Sequence, residues 1–87
     1  MAEQPTIGEL LRANVFSEDD VHAAVDAYLG DPTTRWLRLR GSYALDVADA
    51  VASNIAARET LRRPRPTEPV KRRVVRSAIL RARPEKR

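Results

Sequence analysis

The single histidine, His22, has Asp19 three residues before it and Asp26 four residues after it. On a helix that spacing lines up two carboxylates and an imidazole along one side, donor types that suit a divalent metal. No further residue supplies a fourth ligand, and acids in the first turn of a helix are already explained by the positive end of its dipole. The chain has no cysteine, which removes thiolate ligands and thiol nucleophiles, and only three glycines, too few for a glycine-rich phosphate cradle. No serine stands in a nucleophile elbow with a histidine and an acid. The expectation is a protein that is not an enzyme, with no catalytic residues, no metal and no cofactor.

Arginine carries the stronger signal. The net charge of +4 hides a division. Residues 1–57 hold four Arg against nine acids, −5, whereas residues 58–87 hold ten Arg and two Lys against three Glu, +9. Guanidinium forks bind phosphate oxygens in pairs, which an ammonium cannot do. On a helical projection of the last apolar stretch, Arg72, Arg73, Arg76 and Arg83 fall in one arc, opposite Val70, Val74, Val75, Ala78, Ile79 and Ala82. Such a face neutralises several phosphates at once and releases their counterions. The candidate nucleic-acid contacts are therefore Arg72, Arg73 and Arg76 as clamps, with Lys71 and Arg83 beside them, and Arg62, Arg63 and Arg65 as an arm. Arg35, Arg38 and Arg40 form a secondary basic group. The competing reading is that these cations balance the acidic half internally or dock on a protein.

Two short resemblances bear on the arginines. Arg63-Pro64-Arg65-Pro66 is similar to the Arg-Gly-Arg-Pro core of AT-hook peptides, whose extended arginines enter the minor groove, with Pro64 standing where that motif has glycine. Read as a strand, residues 35–40 put Arg38 and Arg40 on one face and Leu37 and Leu39 on the other. Followed by a helix and by Val74-Val75-Arg76-Ser77-Ala78-Ile79, that order resembles a ribbon-helix-helix repressor, in which a dimer's ribbon reads the major groove. That family joins its helices by a short turn, whereas a long helix and a proline-rich linker intervene here.

The elements that position these residues read as helices. Thr6 and Glu9 fit a capping box, and Ser17 caps a helix whose first turn holds Glu18, Asp19 and Asp20. Gly30 is expected to end that helix in a left-handed conformation, with Pro32 preventing continuation. Residues 34–41 fit either a helix, which is preferred, or a short strand at 35–40. Tyr43, Val47, Val51 and Ile55 make one stripe, so residues 43–62 are expected to form the longest helix, ending before Pro64. Residues 64–69 read as an extended linker of polyproline character, and Thr67 or Glu68 caps a last helix with Pro69 at its start. Trp36 is expected in the core.

The fold class that follows is all-α, a bundle of four to five helices. It divides into a helical domain over 1–63, the linker over 64–69, and a basic amphipathic helix and tail over 70–87 that is partly detached. No apolar run reaches the roughly 20 residues needed to span a bilayer and residues 1–5 are not signal-like, so the expected location is cytoplasmic, with no membrane partner. The expected function is that of a small nucleic-acid-binding regulator, its partner DNA or RNA. The alternative is an adaptor, assembly subunit or antitoxin-like protein partner, and a thin core in a short chain suits a homodimer.

Overall fold

The computed structural model describes residues 5–39 and 43–86. Among these residues there are five helices, α1 (Ile7–Arg12), α2 (Glu18–Gly30), α3 (Val47–Ala52), α4 (Ile55–Arg62) and α5 (Glu68–Arg81), and a small antiparallel sheet. Strand β1 (Trp36–Arg38) pairs with β2 (Tyr43–Asp46), and the two-residue β3 (Glu85–Lys86) pairs with the other side of β2. The expectation of an all-α fold is thereby corrected to a mixed one, mostly helical with a sheet.

The helix starts follow local hydrogen bonding. Thr6 and Glu9 close a capping box on α1, and Ser17 closes one on α2 with Asp20, whose carboxylate accepts from the Ser17 N–H at 2.8 Å. Thr67 caps α5, and proline sits in its first turn, where no intrahelical N–H is needed. Gly30 is the last residue of α2 and is not left-handed; Asp31, in extended backbone, ends the helix.

The expected long helix over 43–62 is instead a strand and two short helices. Asp46 ends β2 and caps α3, accepting the Asp49 N–H at 3.0 Å, and Asn54 caps α4, accepting the Ala57 N–H at 2.9 Å. Each cap resets the rotation of the helix behind it. Val47 and Val51 therefore stay buried, whereas Ile55 is 72% exposed and Ala57 takes its place in the core. Residues 36–38 form a strand where a helix was preferred. Trp36, expected in the core, stands 47% exposed on β1 while Leu37 and Leu39 lean on the core from the same ribbon.

Helix α5 packs against α1, α2, α3 and α4, and its Val75, Ala78 and Ile79 join Ile7, Leu10, Val21, Val25, Leu45 and Val51 in one apolar cluster. The helix expected to stand apart is the one on which the others pack. At its far end α1 comes close: the Ile7 N–H donates to the Ala82 carbonyl at 2.9 Å, and a Cβ on Gly8 would lie 3.1 Å from the Leu80 oxygen. Glycine is what permits that approach. Phe16 meets Tyr43 edge to face at 5.4 Å, fastening β2 to the loop between α1 and α2.

Candidate nucleic-acid interface

The arginines divide into two groups by what they touch. On α5, Arg72 reaches Asp26 of α2 at 2.7 Å, and one Arg76 nitrogen lies 3.0 Å from each carboxylate oxygen of Glu18. Both pairs run between helices. Lys71 bonds Glu68 at 2.6 Å one turn earlier on its own helix. Two of the three expected clamps are thus engaged by acids of α2, because the face of α5 next to its apolar stripe packs against the helix richest in first-turn carboxylates. Side chains exposed by 38–62% screen these pairs, and pairs of that kind contribute about 0–1 kcal/mol each.

The second group faces solvent. Arg58 and Arg62 stand one turn apart on α4, Arg63 caps that helix, Arg65 follows in the bend, and Arg73 lies on the outer side of α5; all five are exposed. None of them meets a carboxylate at ion-pairing distance among the described residues. Glu59 is the only acid from 58 to 66. The linker is not the extended polyproline arm expected: it bends, and Arg65 has a φ of 58°. A left-handed arginine before a proline is costly backbone, and it breaks the extended geometry on which the likeness to AT-hook peptides depends.

Of the secondary basic group, Arg35 is structural. Its Nη2 and Nε donate to one oxygen of Asp46 at 2.9 and 3.2 Å, while the other oxygen caps α3. The Arg35 bonds, and then the Asp49 N–H, hold the Asp46 carboxyl below the usual carboxylate range. Arg38 is exposed on β1, and Arg40 lies outside the described residues. Arg83 is exposed beyond α5 and, with Arg12, adds a smaller pull to the Thr6 hydrogen bonds that lower the pKa of Glu9.

Asp26, one of the acids flanking His22, is turned to Arg72, so the helical triad is divided. The cavity enclosed by Ile7, Phe16, Ala24 and Ile79 measures about 10 Å³, the scale of a single water. The larger hollows are open grooves. One of them, between α2, α3 and α4, carries Arg58 and Arg62 on its rim beside Tyr28 and Leu61. Arg58 and Arg81, both exposed, were not among the residues singled out from sequence; the i, i+4 spacing of Arg58 and Arg62 was the available signal. No described helix is long and apolar enough to cross a membrane.

Comparison of the chain with protein-family models, curated proteins and solved structures finds no match.

Proposed function

We propose that the protein binds a polyanion, nucleic acid by preference, through the arginines of α4 and the following bend, and regulates by occupying its ligand. One observation carries the reading: once the internal pairs are subtracted, Arg58, Arg62, Arg63, Arg65 and Arg73 remain outward against Glu59 alone in the 58–66 segment. Arg58 and Arg62 one turn apart, with Arg63 and Arg65 directly after them and no ion pair to any of these among the described residues, suit phosphate neutralisation, and the open groove beside Arg58 and Arg62 suits a backbone better than an enclosed small molecule. The residues proposed to carry it are Arg62, Arg63, Arg65 and Arg73 from the original set, joined by Arg58. Fluorescence anisotropy with labelled duplex DNA, single strands and RNA across a salt series tests it. Affinity should fall steeply with salt, with a slope of roughly −4.5 on duplex if five phosphates are met at about 0.9 each. No binding at low ionic strength would sink it.

A second reading has its own observation. Ile55 is 72% exposed beside a groove where Ala50, Ala56, Ala78 and Ala82 alternate with Asp49, Ser53, Asn54, Arg81 and Arg83, a mixed surface on which a protein segment could dock. A strict monomer in solution whose Ile55→Ser variant is unaltered in every pull-down and mass measurement would remove it.

A further inference from the structure

We infer that the carboxylates of Glu18 and Asp26 act as a fence: they exclude polyanions from the Arg72–Arg76 face of α5 and so favour the α4 side over it. The inference rests on the polyanion reading and adds a rule about where the ligand lies.

A phosphate approaching Arg76 would have to displace a carboxylate whose two oxygens both lie 3.0 Å from one guanidinium nitrogen, and Arg72 is held by Asp26 at 2.7 Å. Burial is not what keeps an anion away, since the Arg72 and Arg76 side chains are 42% and 38% exposed. What keeps it away is like charge at the spot a phosphate would fill, reinforced by Asp19, exposed on the same α2 first turn as Glu18. The α4 side has the reverse arrangement: Arg58, Arg62, Arg63 and Arg65 have no carboxylate across from them among the described residues. A small basic protein that could be coated by a polyanion on several sides thus has one of them, the face between α2 and α5, closed. Opposed charges set orientation in this way more than they set raw affinity. Arg72 and Arg76 are then a latent anion face, correctly placed and already occupied.

The test is a pair of double variants and their combination, in the full chain, against labelled duplex DNA over a salt series. Glu18→Gln with Asp26→Asn should tighten binding and steepen the slope of log K against log salt by about two, one for each arginine released, because each neutralised duplex phosphate contributes about 0.9. Arg72→Ala with Arg76→Ala should change the slope by less than one in the native background, and by about two in the Gln/Asn background. That dependence on background separates a fence from a mere gain of two positive charges. An equal loss of slope in both backgrounds, or none in either, overturns the inference. Wild type that fails to bind while the Gln/Asn protein binds upholds the fence and defeats the native polyanion role; failure of both to bind at low salt defeats the two together. Circular dichroism melts check that each variant folds, and Glu18→Gln and Asp26→Asn taken singly, each expected to add about one to the slope, serve if a double variant does not.

Discussion

Helices α4 and α5 are both net positive, +1 and +4, and have opposite commitments. On α5, Arg72 and Arg76 are turned to α2 while Val75 and Ile79 one step round the helix sit at 0% exposure, so its cations help hold the helix that forms the core. On α4 only Ala57 is fully buried, and Arg58, Arg62 and the Arg63 behind them look outward. The difference teaches that an arginine count does not locate an interface. What matters is which carboxylates the tertiary fold brings opposite each guanidinium.

The comparison breaks first at the core. Ile79→Ala should cost about 2–5 kcal/mol, a large part of the stability of a short domain, read as a lowered denaturation midpoint. Replacing Arg62, Arg63 and Arg65 together by Ala should leave that midpoint nearly unchanged and reduce duplex affinity at low salt by roughly a hundredfold, with about three lost from the salt slope. If the triple variant instead unfolds the protein and binding survives, the two helices have been assigned the wrong way round. Next in size is Asp46→Ala, which removes the α3 cap; about 1 kcal/mol is expected in chemical denaturation, with DNA affinity unaltered. Arg65→Gly sharpens the contrast within one residue: a glycine takes the left-handed backbone without strain, so stability should rise by up to about 1 kcal/mol while binding weakens. The smallest effect is in acid. Asp46, Glu9 and Asp31 all have lowered pKa values, from Arg35, Thr6 and Thr33 respectively. Depressed carboxylates stabilise the fold above their unfolded values and lose that contribution as pH falls through the folded ones, so melting temperature should hold near neutrality and decline below about pH 4. Asp46→Asn should flatten that decline.

Much of the local structure was legible because its causes are local. Thr6 with Glu9, Ser17 with its acids, and Thr67 before Pro69 each mark a helix start through bonds made within three residues. The hairpin was not legible. Tyr43 and Val47 fit a helical stripe as well as they fit the end of a strand, and the alternation of Leu37, Arg38 and Leu39 competes with a helix, the preferred reading, because Asp31-Pro32 also fits a helix start. Ser53-Asn54, inside the single helix expected over 43–62, is the junction of two. The bends in the arginine assignment have a different source. The partners of Arg72 and Arg76 lie on a helix far away in sequence, and no periodicity within residues 70–82 reports on them. Arg62, Arg63 and Arg65, singled out from composition, are all exposed, because a segment with many cations and a single acid keeps its charge however it folds.

The bonds between α2 and α5, such as Arg76 to Glu18 across 58 positions, and the hold of the Ala82 carbonyl on Ile7 also dictate an order of events. The first two helices have good caps, but α1 rests on the fifth and α2 packs chiefly against it. Short helices of that length are marginal by themselves in water. Collapse must therefore wait for distant segments to meet, and refolding should be slower than in a bundle whose neighbours in space are neighbours in sequence.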